Sequence, residues 1–228
     1  MWTGSAAWRC RPVQSRPSRR AAAPASARLV TPSLASTFET WALAVFVEMN
    51  PLDARPDDFL GEELLVEKTP DGRPMLGQGA TARVLLVSRI SDGRQYALKV
   101  SLGPEHDERL KQEAQVLGSI RHARIVQLVA EHTYGGRPAL LLSLAGTETL
   151  HRYLAREGTV SLERASRYGE DLLSALDHLE EHQIVHRDIK PANLGVGSVG
   201  KGANHLMLFD FSLTNASKTD LQVGTAAY

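Results

Sequence analysis

The spacing of hydrophobic and polar residues divides the chain into a first half rich in strands and a second half rich in helices. Apolar runs predict five strands over residues 60–67, 83–89, 95–100, 125–131 and 138–144. Because turn residues separate the first three, these strands are expected to form an antiparallel meander. A helical period over residues 105–120 predicts a helix between the third and fourth strands. Its buried face is predicted to contain Leu110, Ala114, Leu117 and Ile120.

One long amphipathic helix dominates the second half, over residues 161–182. A shorter helix is predicted over 149–156, and short strands at 194–196 and 206–209 flank a polar loop. The pattern therefore predicts an α+β fold. The apolar side of the long helix is predicted to contain Leu162, Ala165, Tyr168, Leu172, Leu176 and Leu179.

Composition separates the first 58 residues from the rest. Residues 1–38 carry no acidic residue and are rich in Arg, Ala, Ser and Pro. We interpret residues 1–50 as a disordered or extension segment; a targeting peptide, a basic tail and a start codon assigned too far upstream are alternatives. The apolar run 41–49 is too short to span a membrane and is interpreted as a helix or strand packed on the domain. Residues 51–58 (PLDARPDD) are interpreted as a linker.

The charge balance and the cysteine content narrow the possible partners. The chain has 228 residues with 26 basic and 26 acidic side chains. This balance gives no case for a nucleic-acid or membrane partner. Cys10 is the single cysteine, so an intrachain disulfide is excluded. A reducing compartment fits this content, and a cytoplasmic location is expected.

Residues 186–193 (HRDIKPAN) place an acid, a cation and an amide at fixed offsets. Asp188 can accept the proton of an attacking hydroxyl. Lys190 can neutralise charge on a transferred phosphoryl group, and Asn193 can bind a magnesium ion. This run is therefore the strongest candidate for chemistry in the chain.

A glycine turn lies between two predicted strands at residues 76–84 (LGQGATARV). Gly77 and Gly79 would let the backbone approach a phosphate closely, although Ala82 stands where the usual pattern has a third glycine. Alone, this turn is typical of a plain hairpin. Because a strand follows it rather than a helix, the context argues against a dinucleotide-binding fold.

Three charged residues outside the HRD run are candidate partners in one site. Lys99 lies in a strand between apolar neighbours, so its charge needs a partner. Glu113 on the following helix is the predicted partner, and Glu108 is a poorer candidate. Asp210 follows a short strand and could bind magnesium, although aspartate at that place is commonly a turn residue.

Taken in order, these motifs resemble those of eukaryotic-like serine/threonine protein kinases, over about residues 59–228. The resemblance implies a two-lobed, protein-kinase-like fold with a β-rich N-lobe (about 59–145) and a helical C-lobe (about 146–228). It also implies that ATP and Mg²⁺ bind in the cleft between them. The residues implied to contact the nucleotide are Leu76, Gly77, Gly79, Val84, Ala97, Lys99 and Leu142.

The same resemblance implies roles in catalysis. Asp188 would be the catalytic base, and Lys99 would hold the α- and β-phosphates. Residues 143–145 would form the hinge. The implied catalytic residues are Asp188, Lys190, Lys99 and Glu113, and the implied metal ligands are Asn193 and Asp210.

Finer features indicate the kinase class. The Lys190-Pro191 step is similar to serine/threonine rather than tyrosine kinases. The runs HRDIKPANLGV, LFDFSL and GTAAY resemble the kinase domains of bacterial phage-defence proteins of the phage-growth-limitation and BREX type. Ser212 replaces the usual glycine after Asp-Phe, which is expected to stiffen that hinge. Arg187 suggests control by phosphorylation. The candidate hydroxyls are Thr214, Ser217, Thr219 and Thr225.

The resemblance also predicts what the chain could lack. Kinases of this type continue beyond the position of Tyr228, so the sequence is interpreted as a fragment whose C-lobe is truncated after the activation segment. The long helix is then expected to expose an apolar patch to a possible partner. The leading hypothesis is transfer of the γ-phosphoryl of Mg-ATP to a protein Ser/Thr hydroxyl. The alternatives are a nucleotide- or partner-binding module without activity and, less favoured, a small-molecule phosphotransferase.

His178, His182 and His186 recur every fourth residue. This spacing could place metal ligands on one helix face. The favoured interpretation is a packing role for His186 and, for the other two, a helix C-terminus that favours cationic character.

Overall fold

The computed structural model describes residues 49–198 and 204–214. The strands are β1 (Phe59–Leu60), β2 (Leu64–Glu67), β3 (Gly77–Gln78), β4 (Ala82–Arg89), β5 (Gln95–Ser101), β6 (Leu128–Tyr134), β7 (Arg137–Ser143), β8 (Glu148–Thr149), β9 (Leu194–Ser198) and β10 (Asn204–Leu208). The helices are α1 (Pro104–Ser119), α2 (Leu150–Glu157) and α3 (Leu162–Glu181), and a 3₁₀ turn covers Pro191–Asn193.

The first sheet has the antiparallel order β1-β2-β4-β5-β7-β6, and β3 pairs with β4 at its edge. β4 and β5 form a predicted hairpin, but β5 pairs next with β7, because α1 crosses over between β5 and β6. β8, β9 and β10 form a second small sheet beside α2 and α3. The predicted α+β fold, with a β-rich lobe followed by a helical part, is confirmed.

The two faces of β5 enter two different cores. Ala97 packs with α1 in one core, and Leu98 packs in the other with residues of β2 and β4. Successive strand side chains point to opposite faces. Lys99 therefore lies on the same face of the sheet as Ala97, toward α1.

Each helix begins where the sequence supplies a suitable terminal residue. Pro104 occupies the first turn of α1, where its missing N–H is not needed. The hydroxyls of Thr149 and Ser161 cap α2 and α3 by accepting a backbone N–H from the third residue onward. α2 ends at Gly158, whose φ of 76° favours glycine.

Asp171 connects α3 to two other segments. Its carboxylate lies 2.6 Å from Nε of Arg124, in the segment after α1. It also accepts the backbone N–H of Leu206 at 2.9 Å and lies 3.2 Å from His205 Nδ1, both in β10. Because Asp171 is buried, these partners compensate for the loss of its hydration.

Several predicted boundaries differ from the structure. The first strand is broken into β1 and β2 at Gly61, which has a φ of 62°. The strand predicted over 125–131 begins at Leu128, because Ile125 instead bridges to Leu208. The glycine turn contains a two-residue strand, β3, paired with β4.

The apolar side of α3 is shorter than predicted. Tyr168, Ala175 and Leu179 are buried, whereas Leu162 is 87% exposed and Ala165 is exposed. The buried stripe ends at Tyr168, so the first turn of α3 lies outside the core. This result corrects the predicted buried face at its N-terminal end.

The segment interpreted as a linker packs on the sheet. Pro51 and Ala54 are buried, and the Arg83 guanidinium donates to the carbonyls of Leu52 and Ala54. The N–H of Asp57 donates to Val66 O at 2.8 Å. Residues 51–58 are therefore part of the folded unit, while the predictions for residues 1–48 lie outside the described residues.

Replacement of Asp171 by Ala is expected to lower the free energy of unfolding by about 2–3 kcal/mol, because Arg124 and the Leu206 N–H lose their acceptor. Denaturant unfolding measures this change. The control is Glu163→Ala, which removes an exposed ion pair with Arg167 and should change stability by less than about 0.5 kcal/mol. Equal effects of the two variants would contradict the role of Asp171.

Candidate active site

A cavity of about 460 Å³ lies between the first sheet and the segment that follows it. Its walls come from the glycine turn, β5, α1, residues 142–149 and the two ends of the small sheet. Its size is that of a site for a nucleotide-sized ligand. The predicted site residues in its wall are Leu76, Gly77, Gly79, Val84, Ala97, Lys99, Glu113, Leu142, Lys190, Asn193 and Asp210.

Lys99 lies between two carboxylates at the inner end of this cavity. Its Nζ is 2.6 Å from Glu113 Oε2 and 2.8 Å from Asp210 Oδ1. The Glu113 side chain is buried, whereas that of Asp210 keeps 31% of its surface. The poorer candidate, Glu108, has no part in this ion pair. The structure thus brings together three residues that are up to 111 positions apart in the chain.

Burial and charge oppose each other in this cluster. Burial alone would lower the pKa of Lys99, but the carboxylates of Glu113 and Asp210 outweigh it and raise that pKa. Burial raises the pKa of Glu113, and Lys99 opposes this rise. Lys99 contacts both Glu113 oxygens, at 2.6 and 2.8 Å, so we assign the charged pair at neutral pH. Burial would also raise the pKa of Asp210, but Lys99 lowers it to about 2.

The HRD run forms a closed loop around Asp188. Asp188 Oδ2 accepts a hydrogen bond from Asn193 Nδ2 at 2.8 Å and lies 2.9 Å from Lys190 Nζ. The same Asn193 amide nitrogen donates to the Asp188 carbonyl at 2.9 Å. The donors of Asn193 are thus directed to Asp188, and its Oδ1 is the atom that can bind a cation.

His186 joins this loop to the segment that carries Asp210. Its Nε2 donates to Phe209 O at 3.1 Å, and its Nδ1 accepts the N–H of Asp188 at 3.3 Å. Burial lowers the pKa of His186, which favours the neutral ring that this pattern requires. His186 also packs edge-on against Phe211 at 4.7 Å. The predicted packing role of His186 is present in the structure.

Positive φ angles aim the backbone at two points of the site. Arg187 has a φ of 65° and Asp210 a φ of 68°. Non-glycine residues rarely adopt this conformation. The hydrogen bonds on either side of each residue hold it there, notably Phe209 N–H to Asn193 O at 3.1 Å.

Two contacts of α1 were not predicted from the sequence. Glu113 Oε1 accepts the N–H of Phe211 at 3.2 Å, and Arg109 Nε donates to Ser212 O at 2.9 Å. Arg109 precedes Glu113 by four residues, so the two lie on the same face of α1. That spacing was the signal that could have identified Arg109.

The hinge region lies unusually close to β9. A Cβ on Gly195 would lie 2.2 Å from Ala145 O, and Gly146 has a φ of 139°. Both positions therefore require glycine. These residues were not predicted as site residues, because their function is to let two backbone segments approach.

Of the predicted phosphorylation hydroxyls, Thr214 is buried and donates to Phe211 O at 2.8 Å. This contact corrects its interpretation as an available hydroxyl. Ser217, Thr219 and Thr225 lie outside the described residues.

Residues 72–228 match the protein kinase domain family. This chain belongs to the protein kinase family. It is 30% identical over 203 residues to the probable kinase PglW of Streptomyces coelicolor, covering 77% of this chain and 13% of that protein. The resemblance to serine/threonine kinases, with a bacterial kinase among them, is confirmed.

Eukaryotic kinases show a similar likeness. Protein kinase 2 of Dictyostelium discoideum is 29% identical over 180 residues, which cover 77% of this chain and 34% of that protein. The human RAC-beta serine/threonine-protein kinase is 30% identical over 151 residues, which cover 64% of this chain and 31% of that protein. The kinase domain thus spans about a third or less of the length of these relatives. No helix within residues 49–198 and 204–214 is long and apolar enough to cross a bilayer.

The residues of this kinase domain fit a magnesium nucleotide. The ionised Asp210 carboxylate and Asn193 Oδ1 are hard oxygen ligands of the kind Mg²⁺ prefers. Lys99 supplies a cation beside them. Val84, Ala97 and Leu142 supply an apolar part of the wall.

Replacement of Lys99 by Met is expected to leave Glu113 and Asp210 as two close carboxylates without a cation. The free energy of unfolding should fall by about 3 kcal/mol at pH 7.5. The loss should be smaller at pH 5, because protonation of one carboxylate relieves the repulsion. Urea unfolding at both pH values measures it.

The matched control is Lys111→Met, an exposed position on the same helix. It should change stability by less than about 0.5 kcal/mol at either pH. A loss in Lys99→Met that does not depend on pH would contradict the assigned electrostatics.

Proposed function

We propose that this chain is a serine/threonine protein kinase domain that transfers the γ-phosphoryl group of Mg-ATP to a protein hydroxyl. The carrying observation is the Lys99 ion pair with Glu113 and Asp210, in the wall of the same cavity as Lys190 and Asn193. Phosphoryl transfer relies mainly on positioning and on stabilisation of charge, which this set supplies. We also propose that the domain begins before Phe59, because residues 51–58 pack on its sheet.

The nucleotide would lie along the cavity with its base near the hinge. Val84 and Ala97 on one side, with Leu142 at the back, offer an apolar surface to adenine. Lys99 would contact the α- and β-phosphates. A Cβ at Gly77 or Gly79 would meet no protein atom within 4 Å, so the packing of the chain does not itself require glycine there. Close approach of a phosphate gives a reason for these glycines.

Asn193 and Asp210 would hold the magnesium ion. When bound, the ion supplies positive charge that neutralises the phosphate oxygens. Because the pKa of Asp210 is held at about 2, its carboxylate is ionised and ready to bind a cation throughout the physiological range.

Asp188 would act as the base. One of its oxygens is held by Asn193 and Lys190, which fixes the carboxylate's orientation. The carboxylate would accept the proton of the attacking serine or threonine hydroxyl as the new O–P bond forms. Lys190 would stabilise charge on the transferred group, and the bond to the leaving ADP oxygen breaks.

The acceptor class is inferred from the Lys190-Pro191 step and from relatives named serine/threonine kinases. A protein substrate follows from membership of the family. We further propose a cytoplasmic location, on the grounds of the single cysteine, Cys10.

Replacement of Asp188 by Asn is expected to reduce phosphoryl transfer from radiolabelled ATP by about 10²- to 10⁴-fold, because the proton acceptor is lost. Nucleotide affinity should stay within about threefold, because Asp188 does not line the cavity. The measurement pairs transfer to a generic protein substrate with ATP binding by calorimetry. Asp177→Asn, an exposed change on α3, is the control.

Undiminished transfer in Asp188→Asn would refute its role as base. ATP binding without transfer in the unmodified chain would instead favour a nucleotide-binding module.

Replacement of Gly79 by Ala is expected to weaken ATP binding several-fold while leaving thermal stability unchanged or slightly raised, because the added methyl meets only the ligand. The control is Gly169→Ala on α3, where a Cβ also has open space. That variant should gain stability without any change in ATP affinity. Equal ATP affinity in all three proteins would argue against phosphate binding at the glycine turn.

A further inference from the structure

Two histidines and a glutamate lie together at the C-terminal end of α3, outside the active site. The rings of His178 and His182 are 4.3 Å apart, and the His122 ring stacks on His178 at 5.0 Å. The third histidine of the sequence pattern, His186, does not join them, because α3 ends at Glu181 and His186 turns toward Phe209. We call His178, Glu181 and His182 the α3 cluster.

His182 has its ring orientation fixed. Its Nδ1 lies 2.8 Å from the carbonyl oxygen of His178. Since a carbonyl only accepts, Nδ1 carries the proton and Nε2 keeps a lone pair. This is the arrangement of metal-binding histidines, whose second nitrogen is held by a backbone carbonyl or carboxylate.

His178 has unmet polar capacity. Its Nε2 is buried and has no hydrogen-bond partner among the described residues. Its Nδ1 lies 3.9 Å from Glu181 Oε2, too far for a hydrogen bond. Buried polar atoms of this kind are uncommon and call for a missing ligand.

The spacing of the α3 cluster suits a small cation. Its three ligand atoms lie within 4.8 Å of one another. A tetrahedral ion with ligand bonds near 2.0–2.1 Å separates its ligands by about 3.4 Å. Glu181 and His182 are exposed, so rotation of their side chains can close the difference without moving the helix. Residues 178 and 182 are one turn apart on the same face.

We propose that His178, Glu181 and His182 bind a divalent transition-metal ion of the Zn²⁺ type, with water completing the coordination. Two imidazoles and one carboxylate favour Zn²⁺ over Mg²⁺ or Ca²⁺, which prefer oxygen ligands. His122 is not a ligand, because its Nδ1 accepts the N–H of Arg124 and its Nε2 is thereby free to donate to Ser174. It forms one wall of the site.

Such an ion would fasten the last turn of α3 directly before the HRD run. Only Gln183, with a φ of 57°, and two further residues separate His182 from His186. The site is therefore structural, and it is distinct from the Mg²⁺ ligands Asn193 and Asp210.

The test is calorimetric titration of the full chain with Zn²⁺ in excess Mg²⁺, together with thermal unfolding with and without Zn²⁺. One equivalent should bind and raise the unfolding temperature. His182→Gln should weaken binding by at least about tenfold, since loss of even an outer partner of a metal ligand costs about 10- to 100-fold. Co²⁺ in place of Zn²⁺ should give the intense visible bands of a four-coordinate site.

Matched variants make the result decisive. His151→Gln changes an exposed histidine on α2 and should leave Zn²⁺ affinity unchanged. Glu181→Gln, at an exposed position that is safe for folding, should also weaken binding. Absence of Zn²⁺ binding would overturn the proposal, as would equal affinity in His182→Gln. Loss of the bound equivalent in Asp210→Asn would assign it to the active site and would overturn the proposal as well.

Discussion

The structure depends on one buried ammonium group. Lys99 can lie inside the domain only because Glu113 and Asp210 surround it, and each carboxylate tolerates burial only because of Lys99. The three residues belong to β5, α1 and the segment after β10. Their mutual electrostatic need therefore holds together the elements that form the cavity, and the chemistry of the site and the cohesion of the fold have the same physical origin.

Hydrogen bonds between backbone segments complete this arrangement. Arg109 and Glu113 attach α1 to the residues that follow Asp210, and His186 attaches the HRD run to Phe209. Asp171 performs a similar task below the site, where it joins α3 to β10. The catalytic groups are thus held by neighbours that make no contact with the cavity themselves.

The sequence predicted the elements that carry strong periodicity or strong motifs. β4, β5 and α1 follow from apolar patterning, and the Lys99 partner follows from the need to pair a buried charge. Long-range pairing was not predictable in the same way. The displacement of Ile125 into a bridge with Leu208 and the packing of residues 51–58 depend on tertiary contacts that no local window contains. The first turn of α3 follows the same rule, because Leu162 has the right period but no partner beneath it.

β1 and β2 precede the family match, which starts at residue 72, yet they fill the second core. Leu60, Leu64 and Val66 are each no more than 1% exposed. An expression boundary drawn at the family limit would strip these side chains away and open an oily hole along the back of the sheet. The minimal autonomous unit of this kinase domain is consequently longer at its amino end than the homology limit suggests.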